Sequence, residues 1–131
     1  MHEITIRSQQ REELIDVTDR IEKLIEQSNL SSGAAVLYVP HTTAGVTINE
    51  GADSAVQRDI LTTLQRLVPH SKHYEHAEGN SDAHVKSSLI GCTTQVIITD
   101  GALKLGTWQR IFFYEGDGPR TRRLLVEIYE R

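Results

Sequence analysis

TWQRIFFYEGDGPRTRRLLVEI, residues 107–128, is the stretch on which the fold class turns. Its first nine residues are rich in aromatic and β-branched side chains and read as a strand, 107–115. Its end, Leu124, Val126 and Ile128, alternates with period two and lines one face of a last strand. Between them Glu115-Gly116-Asp117-Gly118-Pro119-Arg120 has the composition of a hairpin loop. Working backwards, Thr93–Thr99 reads as another strand. Ala34–Val39 is a continuous apolar run that suits a strand buried on both faces, and Pro40 ends it. Val46 and Ile48 mark a further short strand. In residues 2–8, Ile4 and Ile6 alternate with Thr5 and Arg7, as in a half-buried strand.

The helical period appears in two places, and capping signals mark a third helix. Val17, Ile21, Leu24 and Ile25 fall on one face of a helix from Asp16 to Ser28, with Asp16 and Asp19 resembling a capping pair. Asn29–Gly33 stop it. A second helix runs from about Asp53 to Leu67, with Val56, Ile60, Leu64 and Leu67 on one face and Pro69 closing it. A short third helix, Asp82–Ile90, is expected to be capped by Asp82 and ended by Gly91. The His-rich polar segment 70–81 reads as a loop. Helices grouped before a strand-rich C-terminal third favour an α+β fold with a largely antiparallel sheet and about three helices.

A chain of 131 residues suits one domain at about 150 residues per domain, and buries roughly two-thirds of its unfolded surface. One cysteine excludes an intrachain disulfide framework. A net charge of −4 argues against sequence-independent nucleic-acid binding, which depends on basic contacts to phosphate. No apolar run approaches the ~20 residues of a membrane helix, and MHEITIRSQQ lacks a signal-like apolar stretch. The expectation is a soluble cytoplasmic protein, with neither nucleic acid nor membrane as partner.

Six histidines are many for this length, and five lie between positions 41 and 84. His41 follows a strand end, His76 sits in the polar loop, and His84 falls in the first turn of the third helix. Three neutral imidazoles would hold a metal with an open position for water or substrate. Equally, they are unconnected surface histidines, as His70 and His73 are expected to be. Pro40-His41-Thr42-Thr43-Ala44-Gly45 offers hydroxyls and small residues for an anion, or is an ordinary strand connection. Gly79-Asn80-Ser81-Asp82 stands at a helix N-terminus that suits phosphate, with Lys86 one turn on as a cation, though simple capping by Asp82 explains the same residues. Arg120 could grip phosphate, or pair with Glu115 or Asp117. Glu50 is a candidate general base or histidine-orienting partner. Trp108 and Gln109 could stack on and hydrogen-bond a flat heterocycle, although a lone Trp in a strand is usually core. Cys92 reads as a small buried residue.

Three blocks together go further: His41-Thr-Thr-Ala-Gly-Val-Thr-Ile-Asn-Glu50, Gly79-Asn-Ser-Asp-Ala-His84-Val-Lys86, and Gly106-Thr-Trp-Gln-Arg110 followed by Asp117-Gly-Pro-Arg120. In order and spacing they resemble the YjbQ family of small proteins, associated with a secondary thiamine-phosphate synthase activity. The resemblance covers essentially the whole chain. It implies an α+β fold with a β-sandwich-like core, assembled as a homotrimer. It also implies that His41, His76 and His84 converge around a divalent metal, Zn²⁺ or Mg²⁺. Gly116 departs from the resemblance, which leads one to expect a bulkier apolar residue there and hence a looser loop tip in this chain. Cys92 stands where a small hydroxyl residue is expected.

The implied reaction joins a hydroxymethylpyrimidine diphosphate to a thiazole phosphate and releases pyrophosphate. Arg120, Lys86 and the amides near Asn80 would stabilise the leaving group. Thr42 and Thr43 would contact substrate, Trp108 and Gln109 would position it, and Glu50 and His84 would be catalytic. Metal-assisted hydrolysis with Glu50 as base is a related possibility. The contrasting class is a non-catalytic trimeric protein that binds a metal or a phosphorylated metabolite.

Overall fold

The structure is a computed structural model that describes residues 1–131. Eight strands and three helices follow in the order β1 (His2–Arg7), β2 (Glu13–Asp16), α1 (Thr18–Ser28), β3 (Gly33–Tyr38), β4 (Ala44–Glu50), α2 (Ser54–Leu67), α3 (Ser81–Ile90), β5 (Thr93–Thr99), β6 (Ala102–Leu103), β7 (Gln109–Glu115) and β8 (Thr121–Glu130). They form a five-stranded sheet, β1-β8-β3-β5-β6, and a three-stranded sheet, β2-β7-β4. Every pairing is antiparallel. The fold is α+β, with the inner faces of the two sheets and one face of α1 sharing an apolar core. No helix is long and apolar enough to cross a membrane.

The core follows from the alternation in the strands. Ile4 and Ile6 of β1, Ala35 and Leu37 of β3, Val96 and Ile98 of β5, and Leu124 and Val126 of β8 point inward from the larger sheet. Ala44 and Val46 of β4 and Ile111 and Phe113 of β7 meet them, and Val17, Ile21 and Ile25 close the end. Each such fully buried side chain contributes roughly 1.5–3 kcal/mol relative to exposure.

The reading of 107–128 as a hairpin is corrected. β7 pairs with β2 and β4, whereas β8 pairs with β1 and β3. The segment 116–120 therefore carries the chain from one sheet to the other. The reason lies in burial: Ile111, Phe112, Phe113, Tyr114 and Glu115 are all buried, so β7 is the strand covered on both faces. A second strand beside it would have left one of its neighbours without a partner. β3, expected to be buried on both faces, alternates instead: Ala35 and Leu37 are buried, while Tyr38 is exposed.

Three helix signals also resolve differently. Asp16 and Asp19 do not form a capping box. The α1 N-cap is Val17, and the two carboxylates grip Arg110 at 2.8 and 3.0 Å. Asp53 caps α2 through Ala55 N, but α2 fully buries no residue and Leu67 is exposed. The α3 N-cap is Asn80, and Asp82 lies inside the helix with its carboxylate buried.

That carboxylate belongs to a closed ionic network. Arg11 donates to both Asp82 oxygens, at 3.0 and 3.2 Å, and Lys86 Nζ donates to Asp82 Oδ2 at 3.1 Å and Glu12 Oε1 at 2.8 Å. The Tyr114 hydroxyl donates to Glu12 Oε2 at 3.2 Å. Burial raises the Asp82 pKa, but the hydrogen bonds from Arg11 and Lys86 and their charges outweigh it and hold it below the usual range. Burial and the Glu12 carboxylate push the Tyr114 phenol well above its own.

Removing one partner of such a network leaves a buried charge without compensation. Lys86→Met is expected to lower the unfolding free energy by about 3–5 kcal/mol, read by urea denaturation at pH 7. Because the native Asp82 pKa is depressed, its share of the stability is present above pH ~4 and is lost as pH falls through the native value. A Lys86→Met variant as stable as the parent would show that Arg11 alone neutralises the cluster.

Candidate functional site

β3, the central strand of the larger sheet, ends just before Pro40, and the loop to β4 opens onto a polar cleft of about 700 Å³. Its walls are Tyr38–Thr43 on one side and Glu78, Asn80 and His84 before and on α3. Cys92, ahead of β5, and Arg120 and Arg122, at the start of β8, complete it. The β3–β4 loop, the start of α3 and the approach to β8 thus meet around the cleft.

His41 Nε2 accepts a hydrogen bond from the Arg123 backbone amide at 2.9 Å. Burial lowers the His41 pKa below the ordinary imidazole value, and the Arg122, Arg123 and Arg120 cations lower it further against the opposing Glu115. Both effects favour the neutral ring. His84 meets His76 edge to face, with ring centroids 5.4 Å apart at 84°. His76 Nδ1 is 3.1 Å from Ser81 Oγ, and its Nε2 is 3.7 Å from Glu78.

The structure does not assemble the expected metal centre of His41, His76 and His84 within one chain. His76 and His84 are neighbours, and His41 and His84 line one cleft, but no three His, Cys, Asp or Glu side chains are placed to hold a metal ion. His41 has already committed Nε2 to the Arg123 amide. Within one chain the donor set offers neither the three or four close ligands that Zn²⁺ takes nor the near-octahedral oxygen array of Mg²⁺.

Two arginines share the crossing between the sheets and differ in availability. Arg122 is buried; it forks onto the Glu115 carboxylate and donates from Nη2 to Thr43 Oγ1 at 2.8 Å. Thr43 is thereby buried and engaged, while Thr42 stays exposed on the cleft wall. Burial raises the Glu115 pKa, but Arg122, the Asp117 amide and Ser8 bring it below the usual range. Arg120 is half exposed. It takes the pairing that the sequence left open, with Asp117 rather than Glu115, at 2.8 Å. Nε also goes to Asp117 O, which leaves Nη1 for a ligand. Asn80 Nδ2 donates to the same Asp117 at 2.8 Å, and its buried Oδ1 has no partner.

Gly116 does not loosen the tip. A Cβ there would stand 2.8 Å from Thr43 O and 3.0 Å from the Tyr114 ring, so the close approach demands glycine. Cys92, expected to be buried, is exposed on the cleft.

Other candidates lie elsewhere. Lys86 is fully buried in the ionic network, so its charge is spent on Glu12 and Asp82. Glu50 and Gln109 pair at the far end of the β4–β7 ladder. Six residues of strand, roughly 20 Å, separate them from the Ala44 end beside the cleft. Glu50 Oε2 accepts from Asp53 N, and Gln109 Oε1 from Gly106 N. Trp108 is 64% exposed in a turn, not core. Arg122 went unrecognised in the sequence, although its parity with Leu124 and Val126 marks it as inward-facing.

The whole chain, residues 2–131, matches the family model described as UPF0047 protein YjbQ-like. The chain belongs to the YjbQ-like UPF0047 family. It is 54% identical over 123 residues to a UPF0047 protein of Methanocaldococcus jannaschii, covering 94% of this chain and 89% of that one. It is 44% identical over 126 residues to UPF0047 protein YugU of Bacillus subtilis, covering 95% and 96%. Among solved structures, an uncharacterized YjbQ/UPF0047 protein of Clostridium acetobutylicum superposes with a TM-score of 0.96 at 48% identity, covering 98% of this chain and all of that one. A YjbQ-family neighbour from Sulfolobus solfataricus, described as of unknown function, gives 0.95 at 32% identity, covering 99% and 96%. These members of the YjbQ-like family establish the fold; their descriptions name no reaction.

His41→Ala removes this bond and should cost about 0.5–1.5 kcal/mol in urea denaturation, whereas His41→Gln, which can return an acceptor, should recover most of it. The depressed His41 pKa adds a pH signature. The unfolded ring binds a proton below about pH 6.5 and the native ring resists it, so this part of the stability is present above pH 6.5 and is lost as pH falls toward the native value. Stability that falls equally in wild type and His41→Gln between pH 7 and 5 would assign the loss to other groups.

Proposed function

We propose that the chain is an enzyme acting on phosphorylated heterocycles, with weak thiamine-phosphate synthase activity. The observation that carries the reading is the convergence of His41, His84, Asn80 and Arg120 on one cleft of about 700 Å³, large enough for a small heterocycle and its phosphates. In the reaction, the bond between the pyrimidine methylene carbon and a diphosphate oxygen breaks. That carbon then bonds to the thiazole nitrogen, and pyrophosphate leaves with the electron pair. The free Nη1 of Arg120 binds the departing pyrophosphate, and His84 delivers a proton to one of its oxygens. Thr42 and Asn80 orient the substrate. No step runs through a metal. Glu50, Trp108 and Gln109 stand too far along the sheet to act on the same substrate within one chain. That separation, with the missing ligand cluster, removes support from metal-dependent hydrolysis.

The test is thiamine-phosphate formation by wild type and His84→Ala, purified in parallel from a host lacking its own synthase. Wild type should form product, and the variant should be about 10²-fold slower or worse even at saturating substrate. Equal rates, or no product from either, would overturn the enzyme reading. Stabilisation by pyrophosphate without product would then favour the non-catalytic binding protein.

The chain is read here as a homotrimer. The outer face of the larger sheet leaves Tyr38, Ile97 and Tyr129 exposed around Ala34 and Val36, and α2 fully buries nothing. Tyr38 lies on both this face and the cleft rim, so a neighbouring copy seated there would border the site. Light scattering should give three times the 14.7 kDa chain mass, with Ile97→Glu shifting it toward the single chain. A monomeric wild type would sink the assembly reading.

A further inference from the structure

The β3–β8 ladder ends at the pair Tyr38 and Leu125. Arg123 lies two residues beyond, so its amide points past the end of β3 and finds no strand carbonyl. Arg123 is an exposed residue of β8, and His41 Nε2 accepts from its amide at 2.9 Å. A ring nitrogen that accepts a hydrogen bond carries no proton, so the neutral ring bears its single proton on Nδ1. Protonating the ring would set an Nε2–H against the amide N–H. The charged groups around it are Arg120, Arg122 and Arg123 from β8 and its approach, and Glu115 from β7. Three cations against one carboxylate, together with burial, oppose an imidazolium. His84 of α3 is the other imidazole on the cleft wall.

We propose that His41 is a fixed, uncharged Nδ1–H donor that recognises a phosphoryl oxygen of the ligand beside the Arg120 guanidinium. The proposal rests on the reading of the cleft as a site for phosphorylated ligands. It gives His41 a role separate from metal ligation, which needs a free nitrogen lone pair, and from general base catalysis, for which Nδ1 holds no lone pair. It also gives His41 a part distinct from that of His84, the other imidazole on the cleft wall. A neutral donor keeps its grip on phosphate as pH rises through 7, where an imidazolium would lose it. The strand ladder thus sets the tautomer, and the tautomer sets what the cleft accepts: ligand groups that present an acceptor oxygen at Nδ1.

The experiment is long-range ¹H–¹⁵N NMR of the imidazole rings from pH 8 to 6, with His41 assigned by its absence in His41→Gln. His41 should show a protonated Nδ1 and an unprotonated Nε2 at pH 7 and above, and the Nδ1 signals should shift on adding inorganic pyrophosphate. An Nε2–H ring, or an imidazolium at pH 7, overturns the proposal. Calorimetric titration with pyrophosphate supplies the second arm. His41→Gln, which keeps an acceptor for Arg123 but lacks the Nδ1 donor, should bind about ten-fold more weakly or worse. His41→Asn, which restores a donor near Nδ1, should bind more tightly than His41→Gln. Wild type and His41→Gln binding pyrophosphate equally would overturn the role of His41 and leave the anion site standing. No binding by wild type would remove both. A His41-dependent pyrophosphate site in a protein that makes no thiamine phosphate would keep this inference and discard the synthase.

Discussion

Where the chain passes from the smaller sheet to the larger, Glu115 and Arg122 meet in the interior. Glu115 closes β7 and Arg122 opens β8, and the two strands share no ladder. The ion pair is therefore the direct polar link between the sheets at that point. It is satisfied on every side: Ser8 from the β1 end donates to Glu115 at 2.7 Å, the Asp117 amide donates at 3.0 Å, and Thr43 accepts from Arg122. A buried pair repays its desolvation only with such additional bonds, and breaking it by removing one partner costs about 3–5 kcal/mol. The partners come from four separate parts of the chain, so the pair also sets how the β1 end, the β3–β4 loop, β7 and β8 converge. The cleft is the space that this convergence leaves open.

The second ionic cluster does for α3 what the first does for the crossing. α3 has almost no amphipathic contrast, and its buried residues include Ser81, Asp82, Lys86 and Ser87. An apolar stripe does not dock this helix. It is held through Asp82 and Lys86 to Arg11 and Glu12, and through Ser87 Oγ to Ala44 O at 2.6 Å. His84, between the two network residues, projects from a helix whose rotation is fixed by charge pairing. A single-charge substitution in that network is thus expected to move His84 as well as to destabilise the fold.

How much of this could be read in the sequence depends on whether the signal is local. The alternation at Ile4 and Ile6, the helical spacing of Val17, Ile21 and Ile25, and the left-handed Asn29 that ends α1 are local, and the structure has them where the pattern puts them. Pairing is not local. Glu115-Gly-Asp-Gly-Pro-Arg120 has turn composition whether it joins neighbours or crosses between sheets, and only the double burial of Ile111–Glu115 distinguishes the cases. β2 escaped because four residues carry no measurable period. Asp82 and Lys86 looked like a cap and a free cation because helix position is visible in sequence, whereas partners 71 and 74 residues away are not. The three sequence blocks identified the family. Within them only some residues share a site, because His41 and Glu50 stand at opposite ends of the segment that contains β4.

The two structural roles of the β3 terminus explain why the cleft is where it is. An antiparallel ladder that stops early leaves an unpaired amide on the longer strand, and β8 outruns β3 at Arg123. Filling that place with another strand residue would have closed the cleft. Filling it with a side chain keeps the sheet satisfied and leaves a ring edge in the open space. Of the side chains that accept from an amide, Asp or Glu would bring negative charge beside Arg120 and Arg122 on the cleft wall. Asn or Gln would spend flexible torsions on the contact. An imidazole accepts with one nitrogen and carries a donor on the other, so a single residue terminates the ladder and lines the cleft. The same economy appears at Arg120, whose Nε and Nη2 hold the loop through Asp117 while Nη1 stays free. Both residues are oriented by the fold before any ligand arrives, and preorganisation of this kind lowers the entropic cost of binding and of reaching the transition state.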